Sequence, residues 1–167
     1  TPPCQGSCPS GEDIRGYLNI VRGVEKPPVG ADGKPVMSWQ EYAWRRLTEA
    51  NPFPSVMGRV CPAPCETGCN RNEVEDHVGI NSVEHFLGEY AIQNKLKFAA
   101  PATKTGKKIA VIGGGPAGLS AAYQLARMGH DVTIFDEHEF LGGMMRYGIP
   151  GFRTPREVLD AEIQRIL

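Results

Sequence analysis

The stretch of sequence that decides the fold is KIAVIGGGPAGL, residues 108–119. It consists of a short apolar run, a glycine-rich turn and the first residues of a pattern typical of a helix, which continues to Met128. A second apolar run over residues 131–135 predicts the next strand. The order of strand, tight turn, helix and strand predicts a parallel βαβ unit, which is half of a doubly wound α/β sheet.

The turn has the G-x-G-x-x-G spacing of dinucleotide-binding folds. Gly113 permits the tight turn, Gly115 lets the backbone approach a pyrophosphate, and Gly118 lets the helix pack close to the strand. The helix N-terminus adds amide donors and a partial positive charge. Asp136 follows the second strand, where a carboxylate can bind ribose hydroxyls. These features predict a dinucleotide site; the alternative is a glycine-rich turn that only packs a helix against a sheet.

Composition and charge exclude several classes of protein. The chain has 167 residues and a net charge of −1, so nucleic acid and anionic membranes are poor partners. No apolar run approaches the roughly 18 residues needed to span a bilayer. There is no N-terminal export signal, and we therefore expect a cytoplasmic protein. Because the sequence starts at Thr1 rather than at methionine, we expect it to be part of a longer protein.

Residues 1–100 differ in character from the rest, and residues 101–107 read as a linker between two domains. Three helices are predicted in the first part. One begins at a capping box formed by Ser10 and Asp13, a second begins at Ser38, and a third covers about residues 81–93. Their expected inward faces include Ile14, Tyr17, Leu18, Val21, Trp39, Tyr42, Ala43, Leu47, Ile80, Val83, Phe86, Leu87 and Tyr90. Such a core is small for a hundred residues, which indicates that metal coordination holds the loops.

All five cysteines lie in the first domain, at Cys4, Cys8, Cys61, Cys65 and Cys69. In a reducing compartment, clustered thiols favour metal binding over disulfides. Three-residue gaps between them fit iron–sulfur ligation better than the paired C-x2-C spacing of structural zinc sites. Zinc binding and inert buried thiols are the alternatives that these residues leave open.

Residues 111–122, followed by 141–150 and 152–155, resemble the small subunit of bacterial glutamate synthase and its relatives, which include the N-terminal part of dihydropyrimidine dehydrogenase. The resemblance implies that residues 108–167 are the first part of a Rossmann-like FAD-binding domain. It also implies that the FAD is lined by Gly113, Gly115, Pro116, Ala117, Gly118, Asp136, Leu141, Gly142, Gly143, Met144 and Arg153.

Residues 58–71, with 51–54 before them and 80–84 after them, resemble the iron–sulfur loop of the same family. The resemblance implies an α-helical domain with two [4Fe–4S] clusters. One would be held by Cys8, Cys61, Cys65 and Glu84, and part of the other by Cys4 and Cys69. The alternative for Glu84 is a solvent-exposed helix residue.

The family has two further cysteines just upstream of Cys4. Two clusters need about eight ligands and this sequence supplies six, so either the missing ligands precede Thr1 or only one cluster is complete. The loop over residues 25–38 is longer than the family leads us to expect. This length indicates a divergent branch, such as the one associated with dissimilatory sulfite reductase.

The family resemblance implies that the whole protein takes a hydride from NAD(P)H onto FAD and passes single electrons through the clusters to or from a catalytic partner subunit. We expect the NAD(P)H domain to lie outside these residues and nominate no catalytic residue within them. The alternatives are a nucleotide-binding interaction module held together by zinc, and a flavoenzyme that acts without a partner.

Overall fold

The computed structural model describes all residues from 1 to 167, which form two compact units, Thr1–Leu96 and Lys97–Leu167. No helix is both long enough and apolar enough to cross a membrane. The first unit is helical. Its α-helices are α1 (Pro3–Ser7), α2 (Ile14–Val21), α3 (Trp39–Leu47), α4 (Pro54–Val60), α5 (Pro64–Thr67) and α6 (Ile80–Gln93), with a 3-10 turn at Asn70–Glu73.

Helix α2 begins later than the sequence predicts. Asp13 is its N-cap and accepts a hydrogen bond from the backbone N–H of Gly16 at 3.1 Å, so the capping box predicted at Ser10 is wrong. Asp13 carries a formal charge that suits a helix N-terminus better than the Ser10 hydroxyl does.

The long loop after α2 is fastened at its base by one arginine. Arg46 of α3 lies 3.0 Å from Asp13 and 2.8 Å from Glu25, so a single guanidinium joins the start of α2 to the start of the loop. Beyond Glu25 the loop closes on itself through an antiparallel bridge between Val29 and Pro35. The loop is therefore anchored mainly at its base.

Helix α3 is capped by Ser38 as predicted, with the hydroxyl accepting from the N–H of Glu41 at 3.1 Å. Its buried face differs from the predicted one. Trp44 is completely buried, whereas Trp39 is 38% exposed and stacks on Phe86, which is 48% exposed. Trp39 and Phe86 were predicted to face inward; they form an aromatic pair at the surface instead.

Helices α4 and α6 cross at two glycines. A Cβ atom on Gly88 would lie 2.3 Å from the backbone nitrogen of Ser55, and one on Gly58 would lie 2.5 Å from the Cα atom of His85. Only glycine permits such an approach. The crossing holds Cys61, directly after α4, near Glu84 in the second turn of α6.

The second unit is a strand–helix–strand unit with two further helices. Its elements are β1 (Lys108–Ile112), α7 (Pro116–Arg127), β2 (Asp131–Phe135), α8 (Met144–Tyr147) and α9 (Arg156–Ile166). The strands are parallel, with Lys108 opposite Asp131 and Ile112 opposite Phe135. Only Val111 of β1 is buried, because the sheet has just two strands. Residues 101–107, predicted to be a linker, bond within this unit, since the N–H of Thr105 donates to the carbonyl of Gly129 at 2.9 Å.

Candidate functional site

The loop between Cys61 and Cys65 has a constrained backbone. Ala63 adopts a left-handed conformation with φ of 52°, which costs an L-residue about 1–2 kcal/mol. Its backbone N–H donates to the sulfur of Cys61 at 3.4 Å. Cys65 follows on α5 and is buried. The loop therefore presents two thiols in a fixed arrangement, with one backbone donor already directed at sulfur.

Four of the predicted ligands lie in one neighbourhood. Glu84 and Cys8 lie close enough to Cys61 to interact with it electrostatically, and Cys61 and Cys8 lie equally close to Cys65 for such an interaction. Burial is the main cause that raises the pKa of Cys61, and it raises the pKa of Cys65 to about 12. Both thiols are therefore protonated near neutral pH, and binding of a metal group would release their protons.

Glu84 is buried, with 5% of its surface exposed. The amide of Asn51 donates to its carboxylate at 2.5 Å. The alternative interpretation of Glu84 as a solvent-exposed helix residue is therefore wrong. A buried carboxylate near Cys61 can donate to iron, and its hydrogen bond from Asn51 fixes its orientation.

Asn51 also bonds a second buried acid, Glu12, that sequence reasoning missed. Burial raises the pKa of Glu12 to about 7, while the hydrogen bond from Asn51 acts in the opposite direction. No sequence signal marks Glu12, because an acid just before a helix normally lies at the surface. The Asn-Pro-Phe-Pro segment that contains Asn51 resembles the family, but nothing in it predicts that Asn51 bonds two buried acids.

The remaining two cysteines lie on neighbouring elements. Cys4 is on α1, and Cys69 follows α5. These elements pack closely, since a Cβ atom on Gly68 would lie 2.3 Å from the hydroxyl oxygen of Ser7. All five thiols are free of disulfides.

The spacing of these side chains fits an iron–sulfur cluster better than a single metal ion. Nowhere in the chain do three Cys, His, Asp or Glu side chains converge closely enough to hold one metal ion. A structural zinc ion needs its ligands within about 2.0–2.3 Å of one point. The ligands of an iron–sulfur cluster each bind a different iron, so they stand further apart. Three thiols and a carboxylate in one neighbourhood, with Cys65 and Glu84 buried and Cys8 and Cys61 half-buried, fit that requirement.

The glycine-rich turn in the second unit closes as predicted. Gly113 has φ of 98° and donates its N–H to the carbonyl of Phe135 at 2.7 Å. The N–H of Gly114 donates to Asp136 at 2.5 Å. A Cβ atom on Gly118 would lie 1.8 Å from the carbonyl oxygen of Gly113, so the loop and α7 pack too closely for any side chain there.

Asp136 is held by the backbone on both sides. Besides the bond from Gly114, its other oxygen accepts the N–H of His138 at 2.8 Å. These two backbone hydrogen bonds, that from Gly114 foremost, lower the pKa of the Asp136 carboxyl. The group is therefore charged throughout the neutral range, as a carboxylate that binds hydroxyls must be.

The turn at Gly142 and Gly143 packs against the phosphate loop. The N–H of Gly142 donates to the carbonyl of Gly114 at 2.8 Å, and a Cβ atom on Gly143 would lie 2.7 Å from the Cα atom of Gly115. Leu141 is half-buried beside them, and the neighbouring Met144 is exposed. A dinucleotide bound at the loop would therefore also meet this turn.

The Arg153 side chain lies in an exposed turn, which its backbone N–H closes by donating to the carbonyl of Pro150 at 2.9 Å. Arg156 holds residues 145–149 against the start of α9, because its guanidinium donates to the carbonyl oxygens of Ile149 at 2.8 Å and Met145 at 3.2 Å. No sequence motif predicts this role.

Two protein-family models match separate parts of the chain. Residues 34–96 match dihydropyrimidine dehydrogenase domain II, 4Fe-4S cluster, and residues 111–162 match an NAD(P)-binding Rossmann-like domain. Over 99% of its length the chain is 37% identical to the glutamate synthase [NADPH] small chain of Mycobacterium tuberculosis. The chain belongs to the glutamate synthase small-chain family.

Other relatives of this glutamate synthase small-chain-like protein are also oxidoreductase subunits by name. It is 43% identical over 98% of its length to the NAD-dependent dihydropyrimidine dehydrogenase subunit PreT of Escherichia coli. It is 34% identical over 99% to the NADP(+)-dependent formate dehydrogenase subunit beta of Moorella thermoacetica. The chain spans 31%, 37% and 25% of these three relatives, respectively.

Proposed function

We propose that this chain is an electron-transfer module of an NAD(P)H-dependent oxidoreductase. In this proposal electrons pass between FAD and [4Fe–4S] clusters, and to or from a catalytic partner subunit in the cytoplasm. The observation that carries the proposal is the gathering of the half-buried Cys8 and Cys61 with the buried Cys65 and Glu84 in one neighbourhood. A phosphate-binding loop in the same chain supports the flavin part.

The proposed division of ligands is the one that the family resemblance implies, and the packing of the first unit supports it. Cys8, Cys61, Cys65 and Glu84 hold one cluster, and Cys4 and Cys69 contribute to a second. The Ala63 N–H lies where it can bond a ligand sulfur, and the Asn51 amide holds the Glu84 carboxylate. Backbone and amide donors of this kind orient ligands and adjust the potential of a cluster.

For the second unit we propose FAD as the dinucleotide. Asp136 binds the ribose hydroxyls, and the glycine turn at 141–144 borders the same loop. The FAD-binding residues in this proposal are Gly113, Gly115, Pro116, Ala117, Gly118, Asp136, Leu141, Gly142, Gly143, Met144 and Arg153. Bound FAD would convert two-electron chemistry into one-electron chemistry, with the NAD(P)H site outside these residues.

Cofactor analysis of anaerobically purified protein tests the proposal. We expect about four to eight irons per chain with matching acid-labile sulfide, together with FAD. Zinc without sulfide would contradict the proposal and favour a nucleotide-binding module held together by zinc. Full turnover of the intact protein with no partner subunit would instead favour a flavoenzyme that acts alone.

Replacement of Asp136 by asparagine is expected to weaken FAD binding by about ten- to a hundredfold. Asparagine keeps one acceptor oxygen but loses the negative charge, and hydrogen bonds to a charged acceptor are roughly twice as strong as those to a neutral one. The dissociation constant can be measured by flavin fluorescence. Asp131→Asn is the matched control, because Asp131 is an exposed carboxylate at the start of β2, the strand that Asp136 follows, and it pairs with Lys104. Equal FAD affinity in Asp136→Asn and wild type would contradict the assigned role.

A further inference from the structure

Tyr17 on α2 has a buried hydroxyl group without a hydrogen-bond partner. The side chain is completely buried, and its oxygen makes no hydrogen bond within the protein. An unsatisfied buried hydroxyl costs about 1–3 kcal/mol. Buried polar groups in native proteins are nearly always bonded, so an exception indicates a partner that binds at that place.

The surroundings of this hydroxyl identify the kind of partner. Burial raises the pKa of Tyr17, and the charges of Glu12, Glu84, Cys65 and Cys8 act in the same direction. An ordinary phenol is protonated at neutral pH, so this hydroxyl is available as a donor. Three of these four groups are proposed ligands of one cluster.

The chemistry of sulfur accounts for the missing bond. A protonated thiol is a weak acceptor, whereas a thiolate or sulfide that binds iron carries negative charge and accepts well. The Tyr17 hydroxyl bonds neither of the nearby carboxylates, so a bound cluster would supply the acceptor that it lacks.

We propose that Tyr17 is a positioning residue whose hydroxyl donates a hydrogen bond to a sulfur of the cluster held by Cys8, Cys61, Cys65 and Glu84. This inference rests on the proposed function of the chain. A cluster becomes more negative on reduction, so a donor at its sulfur stabilises the reduced form more than the oxidised form. Tyr17 therefore raises the reduction potential of this cluster.

The test is Tyr17→Phe, which removes the hydroxyl and keeps the ring. In an anaerobic redox titration followed by electron paramagnetic resonance, we expect the equilibrium constant for reduction of this cluster to fall about tenfold. For one electron that corresponds to about 59 mV towards lower potential. Tyr42→Phe is the matched control, because the Tyr42 hydroxyl donates to Glu25 at 2.8 Å and lies outside the ligand group.

Iron and sulfide analysis separates failure of this inference from failure of the proposed function. Wild-type protein without iron and sulfide would overturn the proposed function. An unchanged potential in Tyr17→Phe with full iron content would overturn only the role of Tyr17. If Tyr17→Phe loses its iron, the role of the hydroxyl is tested instead by site-specific replacement of Tyr17 with 3,5-difluorotyrosine. That hydroxyl is a stronger donor, so the potential should rise above wild type, and no rise would overturn the inference.

Discussion

Gly88→Ala is expected to destabilise the first unit by about 1–3 kcal/mol, as overpacked cores do. Helix propensity alone predicts the opposite, because alanine is favoured over glycine inside a helix by about 1 kcal/mol. The close contact with α4 outweighs this preference, so the free energy of unfolding should fall. The added Cβ atom would lie 2.3 Å from the nitrogen and 2.6 Å from the Cα atom of Ser55, both of which are backbone atoms. Urea-induced unfolding measures the change in the free energy of unfolding.

The same substitution should also reduce the iron content, because a separation of α4 from α6 moves Cys61 away from Glu84. Gly6→Ala is the control. Gly6 lies in α1 with nothing within 4 Å of an added Cβ atom, so this change should be neutral or stabilising. If Gly88→Ala were as stable as Gly6→Ala, the helices could not cross as closely as described.

Cys65→Ala is expected to remove one whole cluster, a loss of about four irons and four sulfides per chain. Cys65 is a buried thiol, and the residues between it and Cys61 are Pro62, Ala63 and Pro64, whose side chains cannot replace it as a ligand. FAD content should be unchanged, because the dinucleotide loop belongs to the other compact unit. Colorimetric iron and sulfide assays with flavin absorbance measure all three quantities on one sample.

Thr67→Ala is the matched control for this experiment, since Thr67 is an exposed residue of the same short helix. It should keep full iron and sulfide. Full iron in Cys65→Ala would show that Cys65 is not a ligand. Loss of iron in both variants would show instead that α5 does not tolerate change, and circular dichroism would then reveal the disrupted helix.

The second unit was the more predictable of the two. The bounds of β1 and β2 agree with the predicted runs, because strand, glycine turn and helix are all specified by neighbouring residues. The sequence does not predict helix α4, because the two prolines in Asn51-Pro52-Phe53-Pro54 are typical of residues that follow the end of a helix. Pro54 instead occupies the first turn of a helix, where a missing N–H costs nothing.

Predictions that depend on tertiary contacts succeeded less well. The helical period alone does not show which stripe of α3 faces the core, so Trp39 was placed inside and Trp44 was overlooked. The roles of Glu12, Tyr17 and Asn51 depend on burial by segments far away in sequence. The ligand set itself came from family resemblance, and ligation by these residues remains a prediction.

The clamp that Arg46 forms with Asp13 and Glu25 has an evolutionary consequence. Because the loop is anchored at its base and bridged only to itself, mutations and insertions between Lys26 and Met37 impose little strain on the helices that carry the thiols. Selection can therefore vary this segment freely between lineages. We expect orthologues to differ most in length there, while the scaffold around Cys61 and Glu84 tolerates almost no insertion.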